Sequence, residues 1–257
     1  MADEDVCVER RGRVLRVTLN RPDKHNPLSR AVLARLREIF EGARDDAQIA
    51  CAVLTGAGER YFAAGGDLRD LAMVREEPDV RAMATEARAA LDAVRDFPVP
   101  VVALLNGDAI GGGAELALAC DLRVMREGTH IGYIHGRLAI TSAWGGGPDL
   151  VSMVGPARAL RMTARCELVT AALALEWGLA DAVAPADSLD ATLDAFLEPM
   201  LKQTVTALRG CKAQARSARD ALPREARRAM EQDAFVATWT HADHWAAVER
   251  ILTRGNR

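Results

Sequence analysis

The chain has 257 residues, enough to bury a sizeable core as one large domain or two small ones. A formal net charge of -3, with 49% apolar and 27% charged residues, is ordinary globular composition and argues against bulk electrostatic gripping of nucleic acid. No stretch approaches the roughly 18 to 20 apolar residues of a membrane span. The acidic start MADEDVCVERR has no apolar leader core, and the dispersed cysteines Cys7, Cys51, Cys120, Cys166 and Cys211 fit reduced thiols, so a cytoplasmic protein is expected.

In chain order, residues 13 to 19 (RVLRVTL) alternate basic and apolar side chains, as a half-buried strand does. Ser29 is placed to cap a helix in which Val32, Leu33, Leu36, Ile39 and Phe40 recur at helical spacing. A strand is expected over 51 to 55 (CAVLT), then a Gly-rich loop and a helix from about Asp67. A long Ala/Arg-rich helix follows and ends near Phe97 and Pro98. Next come the strand VPVVALLN, a turn at Gly111, Gly112 and Gly113, and a helix ending near Cys120. Pro148 suits the first turn of another helix after Gly145, Gly146 and Gly147. Beyond Pro185 the pattern is helical only. Strands alternating with helices imply an α/β fold with parallel pairing through right-handed crossovers. The helical tail implies a separate layer or an assembly element.

The segment NGDAIGGGAELALACDLRV at 106 to 124 is the most informative. Its glycines let a ligand atom approach bare backbone, and the following helix start has free N–H groups and the positive end of the macrodipole. Such a corner can hold an oxygen that becomes negative during a reaction. YFAAGGDLRDL at 61 to 71 offers a second Gly-rich turn. Both could also serve only as tight strand-to-helix turns. Glu115, one turn into an apolar helix, needs a partner if it is buried, and burial would suit it to proton transfer. A purely structural carboxylate bonded to loop N–H groups is the other reading of Glu115. Asp67 is placed to cap a helix. His241 and His244 have a spacing compatible with metal ligation, but no cluster completes a site, and partly exposed histidines on a helix face are the simpler reading. No metal is expected.

Together with NRPDKHNPLS at 20 to 29, these segments in this order resemble the crotonase (enoyl-CoA hydratase/isomerase) superfamily over essentially the whole chain. The resemblance implies a spiral of ββα units over residues 1–185 carrying an acyl-CoA site, and a C-terminal helical and oligomerisation region over 186–257. It also implies homotrimers or dimers of trimers. The oxyanion donors then fall at Gly66 and Gly112, and Lys24, His25, Leu28, Ala64, Asp67, Leu68 and Trp144 fall at the substrate or CoA site. No cofactor is implied beyond the coenzyme A of the substrate, and no nucleic-acid or membrane partner is expected. Hydratases of the family use two glutamates. The first falls on Glu115, whereas the position of the second is His135, within THIGYIHGRLAITSAWGGG. His135 with Trp144, and the run ATWTHADHWAAV, resemble the ethylmalonyl/methylmalonyl-CoA decarboxylase branch. The expected activity is therefore decarboxylation of a small 2-carboxyacyl-CoA through a thioester enolate. The alternatives are an enoyl-CoA hydratase or isomerase, and a non-catalytic acyl-CoA- or RNA-binding scaffold.

Overall fold

The structure, a computed structural model, describes residues 2–254. A short helix α1 (Ala2–Asp5) leads into β1 (Val6–Arg11) and β2 (Val14–Leu19), which pair antiparallel. A single 3₁₀ turn, Pro22–Lys24, precedes α2 (Arg30–Gly42), whose N-cap Ser29 accepts from the Val32 amide. Val32, Leu33, Leu36, Ile39 and Phe40 form its buried face, as their spacing requires.

Three ββα turns follow. The first is β3 (Cys51–Gly56), β4 (Tyr61–Ala63) and α3 (Glu77–Arg95). The second is β5 (Val101–Leu105), β6 (Asp108–Ile110) and α4 (Gly112–Ala119). The third is β7 (Leu122–Arg126), β8 (His130–Gly132) and α5 (Gly146–Ala164), the last kinked at Gly155 ahead of Pro156. Then β9 (Leu168–Thr170), α6 (Ala171–Glu176) and β10 (Ala182–Ala184) lead to α7 (Leu189–Leu201), α8 (Val205–Arg219), α9 (Arg224–Trp239) and α10 (Ala242–Arg254). Each ββα turn adds one strand to each of two sheets, ordered β1-β2-β3-β5-β7-β10 and β4-β6-β8-β9. Pairing is parallel from β2 through β10 and from β4 through β8, while β9 runs antiparallel to β8.

The inner strands read as continuous apolar runs because both faces are covered. From β3 and β5, Ala52, Leu54, Ala103 and Leu105 face the main core with α2, α3 and α4, whereas Cys51, Val53, Val102 and Leu104 face Leu193 and Leu197 of α7. Leu208 of α8 joins the main core.

One expected element is absent as drawn. No helix starts at Asp67; residues 68 to 74 form turns, and the helix of this unit begins at Glu77. Asp67 instead spends its side chain on two neighbouring amides and on Arg21, which favours a local turn over helix propagation. Among the described residues no helix is long and apolar enough to cross a membrane.

Candidate active site

The spiral brings the two Gly-rich turns together. Leu28 donates its amide to the Gly65 carbonyl and accepts from the Asp67 amide, which holds the first turn against the chain entering α2. The Gly111 amide donates to the Gly132 carbonyl of β8, which holds the second. Gly65 and Gly111 have φ of 103° and 57°, so each turn uses a backbone conformation that L side chains rarely adopt. The turns are in close apposition, since a Cβ on Gly65 would lie 3.6 Å from the Gly112 amide nitrogen. Among the described residues, neither the Gly66 nor the Gly112 amide donates to a protein group. Trp144 closes the neighbouring space, because its ring would touch Cβ atoms placed on Gly66 and on Gly112.

Glu115 lies in α4, which is buried along its whole length, and is itself 1% exposed. Its two carboxylate oxygens differ. Oε2 accepts from the Trp144 amide at 2.9 Å and the Gly146 amide at 3.0 Å. Oε1 lies 3.1 Å from Nε2 of His135. The carboxylate therefore does hold a loop, as the structural reading supposed, but only through one oxygen. The other points to an imidazole beside the second glycine turn, where a Cβ on Gly111 would lie 4.0 Å from His135 Nε2.

Tyr133 was not visible as a site residue in the sequence. Its hydroxyl donates to the Gly146 carbonyl at 2.7 Å, so the 144–146 turn is clasped by Glu115 and Tyr133 together. Burial, and after it the Glu115 charge, push the Tyr133 phenol well above 10, so it stays a donor. A signal existed in hindsight: a tyrosine inside an apolar run, two residues before the histidine. Asn26 is another buried support. In a left-handed conformation, it accepts from the Arg21 amide and donates to the Ala57 and Tyr61 carbonyls.

The residues expected at the CoA site gather in two places. Lys24, His25, Ala64, Asp67 and Leu68, with Gly66, line one surface cleft of about 570 Å³. Its walls also include Arg21, Arg69 and Asp70, so guanidinium groups flank the cleft. Leu28 and Trp144 instead line an apolar cavity of about 120 Å³ between α2 and α3, with Leu71, Met83 and Ala87. Leu28 and Trp144 are buried, whereas Leu68 is exposed. Glu115 and His135 line neither space. His241 and His244 lie apart from all of this: His241 pairs with Asp243 at 3.3 Å, and His244 packs against Trp239 and Trp245.

The enoyl-CoA hydratase/isomerase family model matches residues 9–254 of this chain. The chain belongs to the crotonase family. This crotonase is 34% identical over 252 residues to the 2,3-dehydroadipyl-CoA hydratase of Escherichia coli, covering 97% of this chain and 96% of that one. It is 40% identical over 174 residues to the putative enoyl-CoA hydratase/isomerase YngF of Bacillus subtilis, covering 66% of each chain. Among solved structures, an enoyl-CoA hydratase from Bacillus anthracis superposes with a TM-score of 0.91 at 29% identity, covering 97% of this chain and 96% of that one.

Proposed function

We propose that this crotonase acts on an acyl-CoA thioester as an enoyl-CoA hydratase or isomerase, forming an enolate whose oxygen is held between the Gly66 and Gly112 amides. The observation that carries the reading is the Glu115 carboxylate oxygen that takes no loop amide and faces His135, adjoining those two glycine turns. The relatives named as hydratases and dehydratases support hydration over the decarboxylation expected from His135, Trp144 and the run ATWTHADHWAAV. Lys24, His25, Ala64, Asp67 and Leu68 take the CoA moiety, and Leu28 and Trp144 bound the acyl side. On this reading no cofactor is needed beyond the coenzyme A of the substrate.

Hydration then runs as follows. Glu115 Oε1 takes a proton from water as the water oxygen bonds to C3 of the enoyl group, and the C2–C3 π pair moves toward the thioester to give the enolate. His135 donates a proton from Nε2 to C2, and the enolate pair forms the new C–H bond. Glu115 has gained one proton and His135 has lost one, so transfer across their 3.1 Å contact restores both. In double-bond migration the same oxygen would carry one proton from C2 to C4. Losing one oxyanion donor costs roughly 3 kcal/mol of barrier.

Decarboxylation remains the second reading, favoured by a histidine where hydratases of the family place their second glutamate. A charged imidazole can pair with a substrate carboxylate that a glutamate would repel. Loss of CO₂ leaves the same enolate in the same pair of amides. The reading also includes a cytoplasmic enzyme assembled as trimers or dimers of trimers. The exposed side chains Phe235, Trp239, Trp245 and Ile251 on α9 and α10 support that assembly.

Purified protein is incubated separately with crotonyl-CoA and with methylmalonyl- and ethylmalonyl-CoA. Hydration or isomerisation of the enoyl thioester is expected. CO₂ release with crotonyl-CoA untouched would move the assignment to the decarboxylase, and binding without turnover would leave only a scaffold.

A further inference from the structure

The turn that carries Trp144 and Gly146 is held by Glu115 on one side and by a partly buried ion cluster on the other. Arg95, near the end of α3, donates to the Trp144 carbonyl at 3.2 Å and to Asp149 Oδ2 at 2.9 Å. A Cβ on Gly145 would lie 3.0 Å from a terminal nitrogen of Arg95, so the guanidinium sits against the middle of the turn. Asp149, in the first turn of α5, also accepts from Arg219 of α8 at 2.9 Å through Oδ1. Arg219 in turn donates to the Ala119 carbonyl at 3.2 Å and to the Leu118 carbonyl, at the last turn of α4. The Arg95, Asp149 and Arg219 side chains are 11%, 10% and 18% exposed.

These contacts close a ring. They run from Glu115 on α4 to the 144–146 turn, through Arg95, Asp149 and Arg219, and back to the far end of α4. A buried ion cluster is weak ground for stability, because apolar residues of similar volume can serve as well. Here every member bears on the turn or on the helix that carries Glu115.

We infer that Arg95, held by Asp92 and by Asp149, which Arg219 holds in turn, is a positioning residue that sets the Glu115 carboxylate and the Trp144 ring against the oxyanion glycines. This rests on the function proposed above. Both amides that fix Glu115 Oε2 belong to the turn Arg95 grips, so a shift of the turn rotates the carboxylate and carries Oε1 away from His135. A displacement of about 1 Å at a reacting group costs roughly 10²-fold in rate. The C-terminal helix α8 thereby takes part in shaping the site through Arg219.

The test uses the full-length protein with crotonyl-CoA. Arg95→Met should lower kcat about 30- to 100-fold while KM stays within about threefold, and Arg95→Lys should recover part of the loss. Arg95→Met combined with Glu115→Gln should fall no further than Glu115→Gln alone, since both act through one carboxylate. With 5-fluorotryptophan incorporated, the fluorine resonance of Trp144, assigned by its loss in Trp144→Phe, should shift in Arg95→Met and in Arg219→Gln. The Trp177 resonance should not move. Asp149→Asn, nearly isosteric, supplies the same readouts if Arg95→Met does not fold. An unmoved Trp144 resonance, a loss confined to KM, or multiplicative losses in the double variant would each overturn the inference. If the unmodified protein turns over no thioester, the proposed function falls, and the fluorine resonance alone then decides whether Arg95 holds the turn.

Discussion

Glu115 divides its work between its two oxygens, and the division can be separated by substitution. Glu115→Ala leaves the Trp144 and Gly146 amides without an acceptor in a buried place, and urea unfolding should show a loss of about 3 kcal/mol or more. Glu115→Gln keeps an oxygen for both amides and should stay within about 1 kcal/mol of the parent. Its effect on turnover distinguishes the two chemistries. Hydration should fall about 10²- to 10⁴-fold, because the proton acceptor is gone. Were the protein a decarboxylase, Glu115→Gln should retain more activity than His135→Ala. Gly112 is tested in the same way. A Cβ there would lie 2.3 Å from the Trp144 ring, so Gly112→Ala must displace either the ring or the donor amide. The expected result is a kcat loss of about 10²-fold with far-UV circular dichroism unchanged.

Among the elements, helix α2 and strands β2, β3 and β5 were legible because each is long enough to display its period or its apolar run. Strands β4, β6, β8 and β9 are three residues each, too short to show an alternation, and with them the second sheet went unseen. The helix expected at Asp67 failed for a different reason. Local propensity was read correctly as a cap, but the cap closes a turn tied to Arg21 at 2.9 Å. Burial alone would raise the Asp67 carboxyl, yet bonds from Arg21 and from the Asp70 and Arg69 amides more than offset it, holding it below its ordinary 3.8. A carboxyl depressed on folding stabilises above its unfolded value, and that contribution is lost as pH falls through the lower folded value. Asp67→Asn should therefore be less stable than the parent in urea near neutral pH, and the gap should close on acidification below about pH 3.8.

In the molecule as a whole, the C-terminal helices are tied to the spiral by polar contacts as well as by packing. Lys212 of α8 is 5% exposed and donates to both oxygens of Asp121, at the entrance to β7, at 2.6 Å. Lys212→Met strands a partly buried carboxylate and should destabilise by about 3 kcal/mol in urea unfolding. Thiol accessibility gives an independent view of the same packing. Burial pushes the Cys51 and Cys120 thiols up to about 12, so both should resist a thiolate-selective reagent until the protein unfolds. Cys7 and Cys211 are exposed and should react first in the native protein.

The family resemblance, helix α2, the strands β3 and β5 and the glycine turns could be read from residues 20 to 124 because those signals are local: a cap, a period, a run of glycines. The departure at His135 was equally visible in one dimension. What the linear chain could not hold was the partnership of groups far apart in it. Glu115 meets amides 29 and 31 residues away, and Arg219 meets Asp149 across 70 residues. Those meetings depend on how successive crossovers stack one ββα turn on the next. No short stretch of side chains encodes that stacking, because it is set by burial of the two sheets' shared faces.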